Sequence, residues 1–167
     1  MIIAATGHRP DKLGGYDIKT RRALGALAVE YLHERRPDEV IVGMAQGWDQ
    51  AVAAACVVLD IPFVAAIPFF GQEQRWPEEA QQRYFRLLGM AKREVYTSED
   101  PSYDALQRRN EWMVGHAGEM AALWNGTTGG TFNCLKYADR KGVPVVNLWP
   151  RWTLPFETRE MIFGGAG

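Results

Sequence analysis

Short apolar runs alternate with longer amphipathic stretches along most of this chain. Ile2–Thr6 predicts a first strand, and Asp17–Arg36 predicts a helix with Leu24, Leu27, Ala28, Tyr31 and Leu32 at helical spacing, ended by Pro37-Asp38. Glu39–Met44 predicts a second strand, Gln46–Leu59 an alanine-rich helix and Ile61–Pro68 a third strand. A polar loop over 69–76 follows. Pro77 suits the first turn of a helix running to about Ala91. Arg93–Thr97 predicts a fourth strand, Tyr103–Gly115 a helix and Glu119–Trp124 a fifth strand. Thr131–Lys141 predicts a helix stopped by Gly142, and Pro144–Trp149 the last strand.

Strands alternating with helices imply an α/β fold of Rossmann type, a three-layer sandwich whose mostly parallel sheet is covered on both faces. Residues 1–149 carry this pattern and predict one domain. Residues 150–167, with their prolines, aromatic residues and final Gly-Gly-Ala-Gly, read as a C-terminal extension, either a surface segment or a partner-binding arm. The alanines at 51 and 53–55 are expected to serve helix packing, and Tyr84, Phe85, Leu87 and Leu88 the core.

Composition narrows the function classes. Apolar residues make up 47% of the 167, enough for a closed core, and the formal net charge is −1. That balance argues against binding nucleic acid through bulk charge, while leaving room for a local basic patch. Neither Cys56 nor Cys134 lies in a CxxC pair, so no zinc site or disulfide framework is expected, and a reducing compartment is the simple reading; no metal or cofactor is expected. The apolar start lacks a basic leader, and no run approaches the ~18 apolar residues of a membrane span. The expected location is the cytoplasm, away from any membrane.

In open parallel sheets ligands bind beyond the carboxyl ends of the strands. The unusual residues of this sequence fall there. Thr6-Gly7-His8-Arg9-Pro10 follows the first strand; Arg9 can fork onto phosphate or carboxylate, and His8 can act as a base or a donor, or the segment is simply a tight turn. Gly43-Met44-Ala45-Gln46-Gly47-Trp48-Asp49 joins the second strand to its helix, an arrangement that offers helix amides to an anion. Asp49 falls in the first helical turn, either as a partner of the helix dipole or as an acceptor for ribose or base. Of the adjacent Arg108 and Arg109, followed by Asn110, one arginine can face the site while the other is solvated, though solvation suits such a pair best. Gly126-Thr127-Thr128-Gly129-Gly130-Thr131 has the strongest pattern, amide and hydroxyl donors leading into a helix N-terminus, with Thr131 also a natural N-cap. The loop around Phe69, Phe70 and Trp76 suits a base, the core or an oligomer contact equally.

These segments, with Ile61-Pro62, Gln72-Glu73-Gln74-Arg75-Trp76-Pro77 and Arg109-Asn110-Glu111-Trp112-Met113-Val114, resemble the YpsA-like branch of the SLOG superfamily, which also holds DprA (Smf) and the LOG phosphoribohydrolases. The resemblance runs from residue 1 to about 149. It implies a Rossmann-like nucleotide pocket formed by Gly7, His8, Arg9, Gly43, Ala45, Gly47, Asp49, Arg109, Asn110, Gly129, Gly130 and Thr131. LOG enzymes cleave the N-glycosidic bond of nucleoside monophosphates with a motif PGGxGTxxE. Here Gly129-Gly130-Thr131 lacks the leading proline, and Cys134 stands where the glutamate would be. A carboxylate from elsewhere, Asp49 or Glu111, would have to replace it.

The expected function is therefore binding or sensing of a nucleotide or an ADP-ribose-like derivative. The alternatives are a nucleoside-monophosphate N-glycosidase and a DprA-like module for single-stranded nucleic acid. The expected partners are a nucleotide-like small molecule and a second copy of the chain in a homodimer; the charge disfavours nucleic acid.

Overall fold

A computed structural model describes residues 1–153. The elements run β1 (Ile2–Gly7), α1 (Ile18–Arg35), β2 (Glu39–Val42), α2 (Trp48–Leu59), β3 (Phe63–Ile67), α3 (Glu78–Leu88), β4 (Arg93–Tyr96), α4 (Tyr103–His116), β5 (Glu119–Leu123), α5 (Gly130–Arg140), β6 (Val145–Asn147) and α6 (Trp149–Trp152). A short 3-10 turn at Pro10–Lys12 lies between β1 and α1.

The six strands form one parallel sheet in the order β4-β3-β2-β1-β5-β6. The chain walks outward from β1 to β4. It then crosses back through α4 to lay β5 on the free side of β1. The order reverses between β1 and β5, the place where open sheets of this kind have a crevice. Strand residues alternate between the two faces. Ile3, Ala5, Val40, Val42, Phe63 and Ala65 join α1 and α2 in one core. Ala4, Ile41, Val64, Ala66, Met120 and Ala122 join Met113 and Val114 of α4 and Cys134 and Leu135 of α5 in the other. The sheet is thus a Rossmann-like α/β sandwich with all its strands parallel.

Local chemistry fixes the helix ends. Asp17 accepts from the Thr20 amide at 2.8 Å to start α1, and Ser102 accepts from Ala105 at 3.1 Å to start α4. At the amino end of the sheet Glu119 is buried and takes both Arg35 Nε and Nη2, at 3.1 and 2.6 Å, together with the Tyr31 hydroxyl. This bidentate pair ties the last turn of α1 to the start of β5.

Three expectations are corrected. The last strand stops at Asn147, whose Oδ1 accepts from the amides of both Trp124 and Trp149 and turns the chain into α6. Phe85 is 53% exposed rather than core, because neighbouring Tyr84 takes the inward position on α3. Thr131 is not the N-cap of α5. The helix begins one residue earlier, with Gly129 at the cap and no side chain closing it. Beyond β6, Trp149 and Trp152 pack on the first core, and Arg151 pairs with Glu30 and Glu34, so the chain stays on the domain up to α6. The remainder of the expected extension, 154–167, lies outside the described residues. Among the described residues no helix is long and apolar enough to cross a membrane.

Candidate functional site

A cavity of about 300 Å³ opens at the carboxyl ends of β1 and β5, over the switch point. The β1 loop, the first turn of α2, the inner face of α4 and the start of α5 surround it. Gly7, His8, Arg9, Ala45, Asp49, Arg109, Asn110, Gly129, Gly130 and Thr131 all line it. Segments far apart in sequence thus meet in one place, because the parallel topology delivers every βα loop to the same edge.

The α5 side is built of donors. With Gly129 at the N-cap and no side-chain cap, the first helical hydrogen bond runs from the Asn133 amide to Gly129 O at 3.0 Å. The amides of Gly130, Thr131 and Phe132 find no acceptor among the described residues, and α5 directs its dipole at the cavity. Lys12 donates to Thr127 Oγ1 at 3.3 Å and brings a positive charge to the same rim. The Arg9 side chain is exposed, makes no hydrogen bond or ion pair to another described residue, and faces the cavity.

The deep side holds two buried charges that do not touch. Arg109 is 7% exposed. Its Nη1 donates to Gly43 O at 2.6 Å and to Ala66 O at 3.3 Å, and its Nε donates to Asn110 Oδ1 at 3.2 Å. Its guanidinium therefore closes the ends of β2 and β3. Asp49 is 6% exposed, and its Oδ2 accepts a single long bond, 3.3 Å, from the Ala45 amide. It makes no ion pair, and Oδ1 has no hydrogen-bond donor among the described residues. Burial raises its pKa to about 6, partly offset by the charge of Arg109 and, more weakly, of Arg9.

Two glycines explain this packing from behind. A Cβ on Gly43 would stand 2.4 Å from Arg109 Nη1, so only glycine leaves room for the guanidinium. Gly47 has φ +94°, and a Cβ there would meet His8 O at 2.5 Å. Neither glycine lines the cavity. Gly43 lies behind Arg109, and Gly47 faces a second hollow of about 290 Å³ between α1, α2 and α3. Glu111, on α4, also does not line the cavity.

His8 is held by the fold. Its Nε2 lies 2.8 Å from Asn125 Oδ1 and 3.0 Å from the Asn125 backbone amide, and its ring meets Trp149 edge-on at 6.1 Å. Burial lowers its pKa, so the ring is neutral near pH 7. Cys134 is buried behind Thr6, and burial pushes its thiol up to about 11, too high for a nucleophile near neutral pH. Arg108 turns outward to Ser98 and Ser102, while Arg109 turns in.

The cavity also has lining residues that were not expected, among them Lys12, Tyr103, Leu106, Gln107 and Phe132. A signal for three of them was present. Counting back from Asn110 by three, four and seven along α4 gives Gln107, Leu106 and Tyr103, the same helical face. Phe132 is the next residue after the expected glycine-threonine loop.

Comparison with known proteins agrees with this architecture. A model described as the YspA SLOG family matches residues 3–141. The SPbeta prophage-derived protein YoqJ of Bacillus subtilis (strain 168) is 28% identical over 140 residues, covering 74% of this chain and 82% of that protein. DNA processing protein A (DprA) of Streptococcus pneumoniae superposes with a TM-score of 0.60 at 16% identity; the match covers 86% of this chain and 48% of that one. DprA of Helicobacter pylori, whose structure addresses its single-stranded DNA binding mode, gives 0.61 at 13% identity over 87% of this chain and 63% of that one. TM1055 gives 0.58 at 15% identity over 86% and 71%. At these identities the structural likeness concerns the fold, and this chain spans about half the length of the first DprA.

Proposed function

From the premise that the chain belongs to the YspA SLOG family, we propose that its cavity binds a small phosphorylated ribose compound of the nucleotide class. The observation that carries this reading is Asp49, a buried carboxylate with an open oxygen, lining the same cavity as the uncapped start of α5. A buried acceptor without a protein donor takes one from water or from a ligand, and a sugar hydroxyl can supply it. The amides of Gly130 and Thr131, with Arg9 and Lys12, suit the phosphate. A cavity of about 300 Å³ lies at the small end of ligand sites, roughly 300–1,000 Å³, and favours a mononucleotide over ADP-ribose.

Binding without chemistry fits the residues better than N-glycoside cleavage. Glu111 is outside the cavity, and Cys134 is a buried, protonated thiol. Asp11 lines the cavity but is exposed at its rim, beside Lys12. That leaves Asp49 as the one deep carboxylate, without a second to share the work of acid and base. Calorimetry tests the reading. AMP, GMP, CMP, UMP and ribose 5-phosphate are titrated into the protein, with ADP-ribose as the larger probe. At least one monophosphate is expected to bind below millimolar, and Arg9→Ala is expected to weaken it about tenfold. If no phosphorylated ribose binds, the reading fails. Free base after long incubation would replace binding by hydrolysis.

Homodimer formation has one feature in favour. Phe70 and Tyr96 are 77% and 44% exposed, with rings 6.4 Å apart at the β4 edge. Light scattering that gives the mass of a single chain would remove that reading. For single-stranded DNA, the ligand named for the Helicobacter pylori protein, the net charge of −1 predicts weak association. A gel shift at moderate salt tests it.

A further inference from the structure

The phosphate and ribose contacts leave one side of the cavity unused, and that side is aromatic. Tyr103 opens α4 and lines the cavity, yet it is 83% exposed and makes no ring or hydrogen-bond contact with another described residue. Phe132, in the first turn of α5, lines the cavity from the other helix. Its ring is already stacked on Trp124, with centroids 5.9 Å apart and planes at 28°. Gln107 sits one helical turn after Tyr103 on the same face of α4, half-buried, and its amide has no partner among the described residues. Leu106 supplies apolar wall between them.

An unpartnered tyrosine at the mouth of a polar cavity forfeits the burial its ring would gain. Phe132 differs. Trp124 stacks on its ring and Lys136 Nζ lies 6.0 Å from its centroid, so its plane is fixed before any ligand arrives. A flat heterocycle entering between the helices would cover both rings, and Gln107 carries one donor and one acceptor group for its edge. A sugar phosphate would use none of these groups.

We propose that Tyr103 and Phe132 hold a nucleobase between α4 and α5 and that Gln107 reads its edge, so that the ligand is a nucleoside 5′-monophosphate and not a bare sugar phosphate. The inference rests on the phosphoribose reading above and adds the base to it. Stacking on one aromatic side chain changes affinity by about five- to 150-fold when that side chain is truncated.

Calorimetric titration of the full chain with ribose 5-phosphate and with the four nucleoside monophosphates separates the two claims. The best monophosphate is expected to bind at least about tenfold more tightly than ribose 5-phosphate. Tyr103→Ala should remove most of that advantage and leave ribose 5-phosphate unaffected, whereas Tyr103→Phe should keep it. Gln107→Ala should change the ranking among the four bases. Equal affinity for ribose 5-phosphate and every monophosphate would overturn the base claim while leaving the phosphoribose reading in place. So would a Tyr103→Ala protein that keeps the full advantage. If none of the five compounds binds, both readings fall together. Tyr103 is too exposed to support the fold, so unchanged thermal melting of its variants distinguishes lost binding from lost structure.

Discussion

The two ends of the sheet each bury a carboxylate near an arginine, and they treat it in opposite ways. At the amino end Glu119 receives two guanidinium hydrogen bonds from Arg35 and a third bond from Tyr31. At the carboxyl end Asp49 is equally buried, but Arg109 gives its hydrogen bonds to Gly43 O, Ala66 O and Asn110 instead. Full pairing leaves Glu119 nothing to offer a ligand. Incomplete pairing leaves Asp49 with an open oxygen inside a cavity. A buried charge that the fold has not satisfied is a better marker of function than a buried charge as such.

Removing each arginine or carboxylate in turn tests this contrast. The largest effect is expected from Arg109→Ala. It orphans two buried backbone carbonyls and takes from Asp49 its main counter-charge, and urea unfolding should show a loss of about 4 kcal/mol. A loss below ~1 kcal/mol would mean that the guanidinium does not seal the strand ends. Glu119→Gln should lose about 2 kcal/mol, less than a fully buried pair, because the Arg35 side chain is 42% exposed and water screens it. Ligand affinity should not change in that variant. A coupled loss of binding would erase the division between a structural end and a binding end.

Much of the contrast was hidden in the sequence for physical reasons. The periodicity located every strand and each long helix, because doubly covered strands and amphipathic helices leave patterns that need no tertiary information. The short α6 was missed, since Trp149 was read as the end of the last strand and 150–152 as the start of the extension. The family motifs marked most cavity residues. Sequence spacing could not choose between Arg108 and Arg109, since adjacent helical residues differ by about 100° and the choice depends on where α4 docks. Gly43 and Gly47 looked like ligand contacts, yet they are glycines because Arg109 and the His8 carbonyl press against them. Thr131 looked like a cap because its residue type favours that role, but the helix starts at Gly130. That shift opens the amides proposed for the phosphate. Tyr103, Gln107 and Phe132 bear no motif; helical spacing from Asn110 points to the first two, and the meeting of α4 and α5 at one cavity brings all three together.

Asp49→Asn is expected to act in opposite directions on stability and binding. The folded pKa of about 6 lies above the reference 3.8, so the folded protein holds this proton more tightly than the unfolded chain. The group carries no penalty below about pH 4, loses stability as pH rises between the two values, and carries the full penalty above about pH 6. Asparagine removes the charge and keeps an oxygen for the Ala45 amide, but its NH2 brings a buried donor that takes back part of the gain. The variant should therefore be more stable than the wild type by about 1 kcal/mol at pH 7.5, an advantage that disappears as pH falls toward 4. Monophosphate affinity should fall about tenfold at pH 7.5. A variant less stable at pH 7.5 than the wild type would show that Asp49 is satisfied in the fold, as Glu119 is.

The smallest expected effect is the most specific to the open oxygen. A sugar hydroxyl donating to Asp49 stabilises the carboxylate and draws its pKa down toward ordinary values. At pH 6, where about half of the unliganded protein carries this proton, binding should then release up to about half a proton per ligand. Calorimetry in two buffers of different ionisation enthalpy reads that release directly. At pH 8 Asp49 is already ionised and its contribution should disappear. The phosphate of the ligand also titrates near pH 6, so ribose 5-phosphate binding to the Asp49→Asn protein serves as the reference. Identical proton release in the two proteins would place the hydroxyl elsewhere. Release confined to the wild type would assign the open oxygen of Asp49 to the sugar.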